Sequence, residues 1–463
     1  MTTSISPSSG APARRRMTAL LTAAALTSGA LAATAAPASA VTAGATCSAI
    51  TFSPAVAYPT TNSAYVATTA DLNDDGRADI VTAGLAGTVD VLLGKGDGTF
   101  HPSVATASGT SSPGRLSPGD FDGDGHTDLL MVGLGTNTVV VLPGNGDGTF
   151  DTPVISPTIA GPIDAFSADF DEDGDLDVVV TNLGGTSLQM MPGNGDGGFG
   201  TPVDLGIAAS TGYTIAGDFD GDGHADLAFG SNGMGSSDSG SGGSGGTVEV
   251  VLGDGDGTFQ PPVSYHVDSQ PWMVVSGDYN ADGKTDLAAS GSLGGSVLLG
   301  KGDGTFQTPV GFAAGTMTGW LLNGDFNRDG KTDLSTVTSF GLLVLLGKGD
   351  GTFHAPVSFA GGSMMGGMGG ADFNRDGRTD VVLPDHVGSN VVVRLAGCAS
   401  TAAPAPVVTP KPKPAVTPVT KVKAKEKPAD TAKAAAKAKK AKAKAKAVKK
   451  LKRLKKARRG NVG

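Results

Sequence analysis

One nine-residue phrase recurs seven times along this chain, and its spacing confines the fold to a repeat architecture. The copies begin at Asp71, Asp120, Asp169, Asp218, Asp278, Asp325 and Asp372, so successive starts lie 49, 49, 49, 60, 47 and 47 residues apart. The one long interval holds a Gly/Ser-rich insertion over residues 231–246. Around each phrase the apolar runs are short and alternating, with Asp-Gly turns and no helical period, which predicts an all-β chain. A strand such as Thr214–Gly217 leads into the phrase, and a second such as Asp79–Thr82 leaves it. A third, such as Val139–Leu142, runs into a Gly-Asp-Gly hairpin, and a fourth begins near Phe150.

Four strands per repeat and seven repeats predict a seven-bladed β-propeller with four-stranded blades, which leaves only short, protected sheet edges. A linear stack of repeats is the alternative. The chain ends favour a closed ring. The seventh repeat stops at Cys398, before its hairpin and fourth strand. The missing piece stands at the front, where Thr51-Phe52-Ser-Pro54-Ala-Val56 matches Thr99-Phe100-His-Pro102-Ser-Val104. The N-terminal strand is therefore expected to close the last blade. Cys47 and Cys398 are the only two cysteines and flank the break, so a disulfide between them is expected in an exported chain.

In every copy, positions 1, 3, 5 and 9 are Asp or Asn and position 6 is Gly. The sets are Asp71, Asn73, Asp75, Asp79; Asp120, Asp122, Asp124, Asp128; Asp169, Asp171, Asp173, Asp177; and Asp218, Asp220, Asp222, Asp226. The last three are Asp278, Asn280, Asp282, Asp286; Asp325, Asn327, Asp329, Asp333; and Asp372, Asn374, Asp376, Asp380. Alternate side chains converge while glycine allows the sharp turn, which makes a hard oxygen cage suited to Ca2+. Position 7 varies freely (Arg77, His126, Asp175, His224, Lys284, Lys331, Arg378), as expected where only the carbonyl oxygen binds. Position 12 is never Glu, which excludes an EF-hand.

The run Gly217-Asp-Phe-Asp-Gly-Asp-Gly-His-Ala-Asp226-Leu, followed by Leu252-Gly-Asp-Gly-Asp-Gly-Thr-Phe259, resembles the FG-GAP repeat of the VCBS type. It is similar to the calcium-bearing blades of integrin α-subunit N-terminal propellers, over residues 47–398. The resemblance implies up to seven calcium ions at the positions above. It implies no single activity, since such propellers serve as adhesion modules, lectins and, less often, lyase scaffolds.

Four domains are expected. Residues 1–40 read as a secretory signal: Arg14–Arg16, an apolar run from Met17, and the small-residue cleavage site Ala38-Ser39-Ala40. Residues 41–398 form the propeller, 399–432 a Pro/Thr/Lys-rich linker, and 433–463 a Lys/Ala-rich tail. The net charge of −9 conceals a split: residues 399–463 carry 21 Lys/Arg, and residues 41–398 hold 11 basic against 42 acidic side chains. So acidic a body calls for cations. The tail resembles those of heparin-binding adhesins and is expected to stay disordered until it meets a polyanion such as a cell-wall polymer, a sulfated glycan or extracellular DNA.

Tyr65, Tyr213, Trp272 and Trp320 stand five or six residues before their Asp loops. That places them at the opposite end of the blades, as an exposed rim for a glycan or protein ligand. The hairpin aspartates Asp97, Asp147, Asp196, Asp256, Asp303 and Asp350 are expected on the Asp-loop side. The six histidines are scattered, with no nucleophile–His–acid constellation, so a secreted, non-catalytic binding or adhesion module is expected. The alternative is a propeller enzyme acting on extracellular polysaccharide, lyase-like, with His266 or His386 at its centre.

Overall fold

In the computed structural model, the described residues run from 47 to 398. Excepted are 48, 62, 112, 159–160, 183–186, 209–211, 232–244, 314–317, 339–340, 361–365 and 386. The export segment, linker, tail, most of the Gly/Ser insertion and His386 lie outside the described residues. Within them there is no helix, and none is long and apolar enough to cross a membrane.

Seven four-stranded antiparallel sheets follow one another as blades of a propeller. Blade one comprises Ala64–Ala70, Asp79–Gly84, Thr88–Leu92 and Val104–Ala107, paired in that order. The innermost strands of the blades are Ala64–Ala70, Pro113–Gly119, Pro162–Ala168, Thr214–Gly217, Pro271–Gly277, Leu321–Gly324 and Gly369–Ala371. Each touches the next, and the last touches the first, so the ring is closed.

The second strands form the core. Leu129, Leu130, Met131 and Val132 show no exposed surface, because this strand is covered by a neighbouring blade on each face. Each such side chain contributes about 1.5–3 kcal/mol of burial. The fourth strands are outermost and leave Val104, Ile155, Val203, Val263 and Val310 about half exposed.

The fourth strand of blade two is Val154–Pro157, later than the sequence suggests. Phe150 instead closes the hairpin through a bridge to Gly144. Pro153, with no N–H to give to a ladder, stands between hairpin and strand.

Closure follows the expected route. Val56–Pro59 pairs with Asn390–Arg394 as the outermost strand of blade seven, and Ile50–Phe52 pairs with Ala396–Cys398 in place of a hairpin. Cys47 and Cys398 are joined by a disulfide, with Cα atoms 5.4 Å apart.

Six of the seven junctions share one backbone hydrogen bond, and five of those six add an aromatic pair, the exception having Leu72 at position two. In blades one to six the second hairpin glycine donates its N–H to the position-two carbonyl of the preceding blade's loop. Gly148 bonds Leu72 at 2.8 Å, and Gly98 of blade one bonds Phe373 of blade seven at 2.9 Å. Gly148 has φ 83°, and a Cβ there would lie 2.6 Å from Leu93, so only glycine fits. Alongside, the hairpin phenylalanine packs edge-on against the position-two ring, as in Phe121–Phe199, Phe170–Phe259 and Phe100–Phe373. Such pairs add about 0.5–1.5 kcal/mol beyond burial. At the seventh junction the N-terminal segment supplies substitutes: Cys47 N–H bonds the carbonyl of Asn327, at position three, at 3.2 Å, and Phe52 packs at a tilt on Phe326.

Reducing the Cys47–Cys398 bridge, or making Cys47→Ser, should lower thermal stability without abolishing the fold. A link spanning 351 residues sets an upper limit of about 5–6 kcal/mol in the chain-entropy account. A melting temperature indifferent to reductant would reject the bridge as the ring's fastening.

Candidate metal centres

Each loop is organised by its ninth residue. Asp79, Asp128, Asp177, Asp226, Asp286, Asp333 and Asp380 are fully buried. In each, Oδ2 accepts the backbone N–H of position two, for example Phe219 to Asp226 at 2.7 Å. In blades one to six, Oδ1 accepts the N–H of the glycine before the hairpin, as Gly253 does to Asp226 at 2.9 Å. In blade seven that partner is Ala396.

Burial drives the position-nine pKa values up, to about 6 in Asp79, Asp128 and Asp286 and about 7 in Asp226, Asp333 and Asp380. The two backbone bonds oppose this, while carboxylates elsewhere in the same loop add to it.

The other loop residues surround that anchor. Position one accepts the N–H of Gly at position six, and position five accepts that of position seven: Gly223 to Asp218 at 3.1 Å and His224 to Asp222 at 2.9 Å. Position six takes positive φ throughout, from 73° at Gly76 to 100° at Gly174. In blades two, three and four, positions one, three and nine bring carboxylate oxygens within 4.8 Å of one another: Asp120, Asp122, Asp128; Asp169, Asp171, Asp177; Asp218, Asp220, Asp226. Buried Asp169 Oδ1 has no hydrogen-bond partner. These clusters can hold metal ions, and a cation there would offset carboxylates crowded within 4.8 Å of one another.

Where position three is Asn, its side-chain amide faces position five: Asn73 to Asp75, Asn280 to Asp282, Asn327 to Asp329, Asn374 to Asp376. Position-seven side chains divide between the hairpin and their own loop. Lys284 and Lys331 bond the Lys301 and Lys348 carbonyls, while Arg77 and Arg378 reach Asp75 and Asp376. Asp175 lies against Gly195 of its hairpin.

The hairpin aspartates do not join the clusters. Five of them are bonded by their own Thr, as in Asp97 with Thr99, which lowers their pKa, and Asp196 takes the Gly198 N–H.

Two features were missed by the sequence reading. In four of the seven loops position four reaches the next blade: Asp74 meets His126 at 2.6 Å, Glu172 meets His224, Arg328 bonds the Asp376 carbonyl and Arg375 the Gly76 carbonyl. The second feature is a ring five residues before each loop: Val66, Arg115, Asp164, Tyr213, Met273, Trp320 and Gly367. Arg115 Nη1 bonds the Thr214 carbonyl at 3.1 Å, lies 3.9 Å from Asp164, and its guanidinium covers Phe166. Its register with Tyr213 and Trp320, already singled out as aromatics, was the available signal.

The aromatic rim is corrected. Tyr213 and Trp320 are half-buried and stack on each other with centroids 4.6 Å apart, joining blades four and six, so they do not form an exposed rim. Trp272 is 51% exposed, whereas Tyr65 is half-buried. Facing blades across a narrow channel bury what a lone blade would expose. His266 lies exposed on the outermost strand of blade four.

A seven-bladed propeller with a carboxylate-anchored loop in every blade defines the class. The pattern described as "FG-GAP-like repeat" matches residues 71–131, 120–180, 169–229, 232–289, 278–336 and 325–383, and the chain belongs to that family. Six matches span seven loops because the matched unit runs from one loop to the next, the fourth starting late at the insertion. No curated protein matches the chain.

Among solved structures, it is similar to an Agrocybe aegerita lectin described as recognising non-reducing terminal N-acetylglucosamine. Identity is 22%, covering 71% of this chain and 86% of that one, with TM-score 0.49. It is also similar to BBS1N, solved in complex with ARL6DN, at 11% identity, 75% and 98% coverage and TM-score 0.47.

Chelating divalent cations should lower the melting temperature, and returning them should restore it. Asp218→Ala should remove one bound ion yet cost little stability in chelator. Asp226→Ala should cost at least about 2 kcal/mol in either condition, since it removes two hydrogen bonds to a charged group. Melting unchanged by chelator would reject the metal clusters.

Buried Asp164 is pushed up to about 6 despite Arg115, with Tyr213 also facing it. Its folded pKa lies above its ordinary 3.8, so its stabilising effect is full below about pH 4 and lost as pH rises through about 6. With cations saturating, chemical unfolding of Asp164→Asn should lack that decline. An identical pH profile in variant and wild type would rule this out.

Proposed function

We propose that the chain is a secreted, calcium-loaded propeller acting as a non-catalytic binding or adhesion module for an extracellular glycan or protein. The observation that carries it is a contrast within the repeat. Positions one, five, six and nine are the same residue in all seven copies, whereas the register five residues earlier carries seven different side chains. A scaffold repeats itself, and a surface that recognises one partner does not. Tyr65, Tyr213, Trp272 and Trp320 are the proposed ligand-side aromatics, two in the channel floor and Trp272 at the surface.

Calcium suits the loops because aspartate and carbonyl oxygens form a hard, adaptable cage, whereas magnesium dehydrates reluctantly and needs a strict octahedron. The ions then serve as scaffold, holding each loop against its hairpin. Export is supported by the Arg14–Arg16 leader and the disulfide. The Lys/Ala-rich tail is proposed to hold polyanions at the cell wall or outside the cell.

The test is an array of glycans and cell-wall polymers probed with the full chain in calcium, with every hit assayed for turnover. Retention without product is expected, and product release would replace the module by an enzyme. Deleting 433–463 should abolish salt-sensitive retention on heparin, and unchanged retention would reject the tail's role.

A further inference from the structure

The central channel is blocked partway by the ring of seven unlike residues, leaving a cavity of about 230 Å³ between that ring and the level of the Asp loops. Its floor is formed by Val66, Arg115, Met273, Trp320 and Gly367, and its walls reach Asp120 and His126. The volume is below the usual range of about 300–1,000 Å³ for drug-sized ligands, so the cavity takes a small molecule.

Arg115 is the distinctive group there. Its side chain is only 10% exposed, yet its hydrogen bonding among the described residues is confined to Nη1. Nε and Nη2, the paired donors on one edge of the fork, are unspent. Two parallel N–H groups on a guanidinium edge match a carboxylate bidentately. Asp164 and the Thr214 carbonyl hold the opposite edge, so the fork is fixed before a ligand arrives.

The remaining lining is mixed. Thr68, Ser117 and Ser167 are among the wall residues, and Trp320, braced by Tyr213, is part of the floor. A carboxylate clamp beside hydroxyls and an indole fits a polyhydroxylated ring bearing one acid group.

We propose that the channel cavity binds a sugar acid, with its carboxylate on the Arg115 fork and its ring against Trp320. This rests on the binding-module reading and names a site and ligand class for it.

The test uses the full chain in saturating calcium, titrated with D-glucuronate, D-glucose and propionate, and followed by intrinsic tryptophan fluorescence and calorimetry. Glucuronate should bind saturably, and both comparators at least tenfold more weakly, the one lacking the acid and the other the ring. Arg115→Gln should weaken glucuronate at least tenfold. Because that variant strands Asp164, Arg115→Gln with Asp164→Asn is made alongside, and the same loss is expected while the melting temperature is kept.

Glucuronate binding unaltered in the double variant, or absent in the wild type, would overturn the proposal. Propionate equal to glucuronate would overturn the sugar assignment. Array retention that survives the double variant would sink the channel site and leave the binding module standing. Glucuronate bound in the channel with no polymer retained would do the reverse.

Discussion

The ring depends on a single buried carboxylate repeated seven times. The position-nine aspartate accepts one backbone N–H from its own loop and one from the chain entering the hairpin, or from Ala396 in the last blade. Loop and hairpin are otherwise separate excursions from the sheet, rich in polar groups and poor in core. Tied at this point, they become one rigid edge. The hairpin glycine of that edge then donates to the preceding loop, so the order of each loop is passed to its neighbour around the circuit. The arrangement buries an acid at a cost visible in its raised pKa. A cation held among the outer aspartates, as proposed above, would oppose that cost and make metal and scaffold parts of one interaction.

The last blade shows which parts of the junction matter. It has no Gly-Asp-Gly hairpin, yet three functions of that hairpin are preserved by other residues. Ala396 N–H serves Asp380, Cys47 N–H serves the preceding loop, and Phe52 packs on Phe326. What is kept is the geometry of two donors and a ring, and the turn sequence itself is dispensable. The disulfide lies where the turn would be and joins the two chain segments that now do its work. Arg378 of the seventh loop reaches Cys398 Sγ at 3.2 Å, so this substitute turn also contacts a candidate metal loop.

Features set by repetition were legible in the sequence. Loop positions, the number of blades and the closing strand all follow from aligning the chain with itself, because neighbouring blades impose the same contacts on the same positions. Contacts that occur once or twice were not. Nothing in the spacing of Tyr213 and Trp320 announces that they meet, since they belong to blades two apart and touch only across the channel. Asp74–His126 and Glu172–His224 occur in only two blades, each pair separated by 52 residues, and their members read singly as loop filler. Pro153 sets the start of its strand through a missing donor, which hydropathy alone does not register.

The divergence of the channel register has a physical cause in the same construction. Blades are fastened through their loops, hairpins and second strands, and the innermost strand contributes little beyond its pairing to the second strand and its contact with its neighbours. A side chain five residues before the loop therefore answers to the channel and not to the repeat. Gly367 can be small because Val66 and Trp320 crowd the space a Cβ would need, lying 3.0 and 3.3 Å from where it would stand. Arg115 can be charged because Asp164 of the next blade faces it. Such compensation is possible only among residues brought together by closure, which makes the channel floor an asymmetric surface inside a symmetric frame. That asymmetry would give the proposed ligand a single orientation, which seven identical blades could not.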